Sequence, residues 1–389
     1  MENSLTAIIL ISLGILFVPF FSKLLRIPVS VGEILYGIVI GNSFLHLVKH
    51  SQWLDFLSTF GFLLLMFIAG LEVKLKEISQ LPLRSRTLYT LIPVTTFALS
   101  FLIGAKLHLH AIVSIAIGAI SVGIVVSVLR EKGLLGERYG KTVFLVGIVG
   151  EVISIALLTL LSLYTEHGFS GGFWLGLIKL ALYLLVARAI LVFLKSVVWW
   201  FPNKFKFFFE KNPTEIGVRI SLAVMFMLSV AASLIDLEPI IGAFISGVIF
   251  ATVFEDTENI EEKLSGISFG FLIPIFFIYV GVNFQMPHLS PHLMKLLGLL
   301  TLLSFTVKVL PSLLLKLEGF TLREAAGAGV LLSAPLTLVI VTAELGVKLG
   351  VIDHHFENLL ILLAIITGIL APVTFNLLIG KRNLESSNS

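Results

Sequence analysis

No cysteine occurs in the 389 residues, which excludes disulfides, cysteine-ligated iron–sulfur clusters and thiol catalysis together. Charge is also scarce: Asp, Glu, Lys and Arg make up 13% of the chain, where soluble domains carry roughly 25%. No polar stretch is long enough to form a separate soluble domain. The segment Met1–Thr6 has no basic residue, and no small-residue cleavage site follows it, so the first apolar run is read as a mature helix rather than a secretory signal. None of the nine histidines stands at i, i+4 from a carboxylate, the pattern a helical metal site would need. No nucleophile–base constellation is present, so an enzyme is not expected.

What fills the chain is apolar sequence: 57% hydrophobic residues and a mean hydropathy of +1.05. Runs of about 20 apolar residues, the length that crosses a hydrocarbon core of ~30 Å, recur from end to end. The fold class is therefore an all-α polytopic membrane protein. About thirteen transmembrane helices are predicted, at 5–24, 29–46, 53–72, 86–107, 110–131, 141–165, 172–199, 214–235, 238–256, 267–285, 292–316, 322–348 and 356–380. A short tail, 381–389, follows, with no room in this chain for a nucleotide- or glutathione-responsive domain.

Nineteen basic residues fall in alternate loops, among them Lys23, Arg26, Lys74, Lys76, Lys204, Lys206, Lys211, Lys381 and Arg382; the opposite loops hold Lys49, Lys106, Lys295 and Lys348. The positive-inside rule makes the richer set cytoplasmic, which places the N-terminus outside and the C-terminus inside. Thirteen spans divide as six, one and six. With the seventh span, 172–199, as a linker, the two sextets have opposite orientation: two inverted six-helix repeats, as in many secondary transporters.

The fifth and twelfth spans are then symmetry mates, and both are interrupted. One carries Gly118, Ser121 and Gly123; the other carries Ser333 and Pro335, with Gly123 and Pro335 at about the same depth. Interruptions in corresponding helices predict a pair of crossed broken helices around a midplane site, since unwound backbone at membrane depth is tolerated only where it lines a cavity.

Few charges lie within the spans. Glu151 sits near the middle of 141–165 beside Gly147, Gly150 and Ser154, and a carboxylate at that depth marks an ion or proton site. Lys308, with Ser304 one turn before it and Pro311 after it, is too deep to snorkel, and Glu151 is its expected partner. Lys179 and Arg188 in the seventh span have lipid headgroups, an acid such as Glu33, or nothing functional as alternatives. Glu33 and Glu72 read as structural or interfacial, and Asp236 and Glu238 as a solvated outer turn. The histidines, including His108, His110, His288, His292, His354 and His355, gather in outer loops.

Four motifs occur in order: Ile27-Pro-Val-Ser-Val-Gly-Glu33 through Gly41, Leu64 through Gly70-Leu-Glu72, Ile240-Ile-Gly242-Ala-Phe-Ile-Ser-Gly247, and Pro274 through Gly281. Together they resemble the second family of the monovalent cation:proton antiporter superfamily, which contains bacterial sodium/proton antiporters and the membrane domains of potassium efflux antiporters. The resemblance runs from about residue 5 to residue 380. It implies a homodimer whose dimerisation part is formed by about 5–72 and 214–285, and a core transport part from about 86–165 and 292–380. It also implies that Glu151 takes the place of the ion-binding aspartate of span six, with Gly150 where the first member of the usual acidic pair would stand. Ser121 matches the hydroxyl residue of the first broken helix, and Lys308 the basic residue of span eleven.

The function expected is secondary antiport of a monovalent cation, Na⁺ or else K⁺, against H⁺ across a plasma membrane by alternating access. Glu151 holds either ion, with Ser121 and Ser154 supplying oxygens. The partners are the cation, the proton and the bilayer, with no nucleic acid and no cofactor. Without the first acid of the usual pair, Lys308 is expected to pair with Glu151 itself, as an internal competitor of the cation, or to stay partly neutral. The altered acidic pair leaves open a transporter-like channel or sensor without exchange.

Overall fold

The structure is a computed structural model that describes residues 2–25, 27–48, 51–73, 81–200, 215–253, 257–286 and 290–379. The tail 381–389 lies outside these residues, as do His288 and the loop cations Arg26, Lys49, Lys74, Lys76, Lys204, Lys206, Lys211, Lys381 and Arg382. All regular structure among the described residues is helical. The elements are α1 (Glu2–Leu25), α2 (Val29–Ile40), α3 (Gln52–Leu71), α4 (Leu83–Lys106), α5 (Ala111–Gly118), α6 (Val122–Glu131), α7 (Arg138–His167), α8 (Gly171–Trp200), α9 (Ile216–Ser233), α10 (Pro239–Val253), α11 (Thr257–Ile267), α12 (Ile273–Asn283), α13 (Pro291–Ser312), α14 (Leu322–Leu331), α15 (Leu336–Lys348) and α16 (His354–Ile379). A π turn, Ser268–Leu272, leads into α12, and a 3-10 turn, Leu313–Glu318, extends α13.

Ten helices are long and apolar enough to cross a membrane, or eleven with α14 and α15 as one span bent by 42°. The count of thirteen full-length spans is not reached, because the second and ninth are short: α2 has 12 residues and α10 has 15. The reason at α2 is visible in the backbone. Its helix ends at Gly41, after which Asn42 N–H donates to the Val282 carbonyl at 3.0 Å and the Ser43 hydroxyl to the Phe284 carbonyl at 2.7 Å. The chain leaves the helix axis to bond a neighbouring backbone.

The chain forms two compact units. The first comprises Met1–Gln80 and Leu163–Gln285, and the second comprises Leu81–Ser162 and Met286–Ser389. In the first, glycines draw helices together. A Cβ on Gly37 would lie 2.1 Å from the Ile278 carbonyl oxygen and 2.9 Å from Gly281 Cα. One on Gly70 would lie 2.1 Å from the Phe244 carbonyl oxygen and 3.0 Å from Gly247 Cα. Backbones this close gain van der Waals contact where lipid supplies no hydrophobic drive. The helix predicted as a linker, α8, belongs to this unit, with Ala187 packed among Leu228, Ile249 and Val253. Tyr183 of α8 donates to the Leu228 carbonyl at 2.9 Å. Lys179 pairs with Asp236 at 2.6 Å, which holds the Asp236 carboxyl below its ordinary range.

In the second unit, α4 to α7 and α13 to α16 pack as a helical bundle around two interrupted helices. The first interruption, Ala119–Ser121, separates α5 from α6; the second, Leu332–Pro335, separates α14 from α15. Ser121 and Pro335 are the N-caps of the following half-helices. The counterpart of Pro335 is thus Ser121 rather than Gly123, which lies one residue inside α6 with nothing within 4 Å of where its Cβ would stand.

Replacing Gly37 by leucine is expected to destabilise the fold by about 1–3 kcal/mol, because the added atoms meet backbone that cannot rotate away. The check is thermal unfolding in detergent against Gly298→Ala, whose new methyl meets nothing within 4 Å. Equal melting temperatures for the two variants would refute the close-approach account.

Candidate ion-binding site

The site is built around the peptide groups that the first interruption frees. A helix that stops at Gly118 leaves its last carbonyls without partners, and one that starts at Val122 leaves its first N–H groups unpaired. In a unit buried in lipid, such groups must find side chains.

Glu151, on α7 and 2% exposed, faces the start of α6. Its carboxylate accepts the Ser121 hydroxyl at 3.2 Å and lies near the Val122 backbone N–H at the start of α6. An anion here also complements the positive end of the half-helix dipole, worth up to about 2 kcal/mol when partly buried. Glu151 is the only fully buried acid of this unit among the described residues.

Lys308, on α13 and 0% exposed, attends to the other side of the same break. Its ammonium donates to the Ile117 carbonyl at 2.6 Å and to the Ser304 hydroxyl at 2.9 Å. It therefore caps the negative end of α5. The pairing of Lys308 with Glu151 expected from the sequence does not occur: no carboxylate among the described residues is ion-paired to this lysine. A carbonyl released by the break, unreadable as a ligand in a linear sequence, takes the place of the acid.

Ser154 lies one turn after Glu151 and serves the interruption instead of the carboxylate. Its hydroxyl donates to the Gly150 carbonyl at 2.7 Å and accepts the Ile120 N–H at 3.2 Å. Gly150 is required by the same contact: a Cβ there would come within 2.7–2.8 Å of Ile120 side-chain atoms. The space beside Gly150 is filled by Ile120, so the glycine leaves no room there beside Glu151. Ser333, in the second interruption, is turned inward with its hydroxyl donating to the Gly329 carbonyl at 2.8 Å. Gly329 lies against α13, where a Cβ would stand 2.8 Å from the Lys308 carbonyl oxygen. Gly118 ends α5 packed on Phe97 and Ser100.

The structure thus brings Ser121 to Glu151, and Lys308 and Ser304 to Ile117. Ser154 goes to the Gly150 carbonyl and the Ile120 N–H, and Ser333 to the Gly329 carbonyl, with a longer contact of 3.4 Å to the Ser304 carbonyl of α13. The sequence reading missed the Ile117 carbonyl and the Val122 N–H, which no residue type announces. Elsewhere, Glu33 is 4% exposed inside α2, more deeply buried than an interfacial role implies. His110 accepts the Ile112 N–H at 3.3 Å as a helix cap, and His354 meets Glu357 at 2.7 Å.

A family model described as "Sodium/hydrogen exchanger, transmembrane" matches residues 8–380. The chain belongs to that family. It is similar to the Na⁺/H⁺ antiporter of Enterococcus hirae, 26% identical over 364 residues, covering 90% of this chain and 92% of that one. The Na⁺/H⁺-K⁺ antiporter GerN of Bacillus cereus is 24% identical over 365 residues, covering 92% and 91%. YjbQ of Bacillus subtilis is 32% identical over 372 residues; the match takes in 90% of this chain but 59% of YjbQ's own length. Among solved structures, the sodium proton antiporter MjNhaP1 from Methanocaldococcus jannaschii at pH 8 has the same fold, with a TM-score of 0.65, 14% identity and 96% of each chain covered. Sodium/hydrogen exchanger membership and the helical fold therefore agree with the resemblance read from the four motifs.

Ser154→Ala leaves the Ile120 N–H without its acceptor, which should lower stability by about 1–3 kcal/mol. Thermal unfolding of the purified protein tests this, with an unchanged melting temperature the refuting result.

Proposed function

We propose that the chain exchanges a monovalent cation for H⁺ across the membrane by alternating access, and that Glu151 binds the two ions in turn. The observation that carries this reading is a buried carboxylate that accepts the Ser121 hydroxyl at a helix interruption, in a sodium/hydrogen exchanger. One carboxylate accepts a proton or a cation but not both, and this exclusion couples the two fluxes. A hard cation calls for oxygens, and the Glu151 carboxylate and Ser121 hydroxyl stand together to offer them. Na⁺ is the first candidate and K⁺ the second, since relatives are named for either. The same reading sets the protein in a plasma membrane with its N-terminus outside, as a homodimer assembled through the first unit and acting in pH homeostasis. It invokes no cofactor.

With Lys308 engaged by the Ile117 carbonyl, only the Glu151 charge is exchanged in each cycle. One proton should move per monovalent cation, so transport is electroneutral. Proteoliposomes with an internal pH dye test both statements: Na⁺, K⁺ and Li⁺ are added in turn to wild type and to Glu151→Gln. Cation-dependent pH change that Glu151→Gln abolishes is the expected result. No response to any cation in folded wild type would overturn exchange in favour of a channel or sensor. In the same vesicles, imposed membrane potential should leave the rate unchanged, and a rate that follows the potential would mean that Lys308 yields a second proton.

A further inference from the structure

Ten residues beyond Lys308 and outside every role described so far lies Glu318. Its side chain is 11% exposed, and it closes the helical run that carries Lys308. Arg138, in turn, opens the helix that carries Glu151. The two meet. Arg138 donates to the Glu318 carbonyl at 2.7 Å, its guanidinium lies 3.7 Å from the Glu318 carboxylate, and it stacks over the Phe320 ring at 5.1 Å. The same carboxylate accepts the Ser85 hydroxyl at 2.8 Å, and Arg84 donates to the Leu317 carbonyl at 2.8 Å. Gly319, with φ +88°, then takes the left-handed turn that sends the chain into α14 and the second interruption.

Orphan carbonyls at the end of a surface helix are commonly satisfied by water. Here two arginines from two other helices take them, and the carboxylate is enclosed by a third contact from α4. The distances along the helices also match. Glu318 is about 18 Å from Lys308 and Arg138 about 20 Å from Glu151, taking rises of ~1.5 Å per α-helical and ~2.0 Å per 3-10 residue. The two helical rods that meet here thus run nearly equal lengths from the cluster to Lys308 and to Glu151.

We propose that Arg138 and Glu318 are positioning residues that fix the axial register of the Lys308 helix against the Glu151 helix, and thereby set the affinity of the site for its cation. The proposal rests on Glu151 being that site. A slip of either rod would draw Lys308 from the Ile117 carbonyl or the Ser121–Val122 break from Glu151, and the cation would be held less tightly although every liganding group remains.

The test is Na⁺-dependent thermal stabilisation and Na⁺-driven proton flux, measured on wild type, Glu318→Ala, Arg138→Ala, the double variant and Glu318→Gln. The expected result is a half-saturating Na⁺ concentration raised about fivefold or more in both alanine variants, and no further in the double variant, since coupled residues are non-additive. Maximal flux per folded protein should stay near wild type, which separates lost affinity from lost protein. Glu318→Gln keeps a side-chain oxygen for Ser85, which alanine removes, so it should recover most of the affinity and remain informative should the alanine variant fold poorly. Unchanged half-saturation in Glu318→Ala and Arg138→Ala, with only the melting temperature or yield reduced, would overturn the proposal and leave the cluster a helix cap. Where wild type answers K⁺ or Li⁺ instead of Na⁺, the same titrations use that cation; no response to any of the three in wild type, or a response retained in Glu151→Gln, would instead overturn the site itself and this proposal with it.

Discussion

The second unit depends on peptide groups that a broken helix cannot bond for itself. They are buried, and each left unpaired carries a penalty of several kcal/mol. At Ala119–Ser121 the penalty is reduced by two side chains, the Lys308 ammonium taking the Ile117 carbonyl and the Ser154 hydroxyl the Ile120 N–H, while Glu151 lies at the N-terminal end of α6 with the Ser121 hydroxyl on its carboxylate. Two residues that would be costly in lipid by themselves become the means by which the interruption persists. The charges have opposite sign because the two ends of a divided helix have opposite polarity.

This division of labour explains why the two intramembrane charges do not neutralise each other. Each is already complemented by a half-helix end, so direct pairing would exchange two good contacts for one and strand the backbone at both ends. It also accounts for Gly150. Ile120 must approach α7 for its N–H to reach Ser154, and only a residue without a side chain admits it. The glycine that looks like a lost acid is a packing requirement of the break.

Much of the architecture could be read in the sequence because the bilayer limits the choices. Apolar length located α1, α3, α4, α7 and α16 within a few residues, and scarcity of charge singled out Glu151 and Lys308. Ser121 was legible through its place at the interruption. What escaped was written in backbone rather than in residue type. Nothing about Ile117 marks its carbonyl as the partner of a lysine, and Gly118, Ser121 and Gly123 bracketed the break without showing that it falls at Ala119–Ser121, where Ser154 takes the Ile120 N–H. The shortness of α2 depends on bonds from Asn42 and Ser43 to residues some 240 positions away. Glu318 was invisible for a similar reason: a carboxylate in a predicted loop gains meaning only when Arg138 and Ser85 are found around it.

The contacts at the start of α6 have a further consequence for departure rather than arrival. An ion leaving a carboxylate in a dry interior would ordinarily strand a bare anion, and that prospect would hold the ion in place. On the proposed reading of Glu151 as the ion site, the Ser121 hydroxyl already attends to its carboxylate and stands in for part of a hydration shell. Letting go is thereby made easier, and a transporter is limited by how readily it lets go as much as by how tightly it holds.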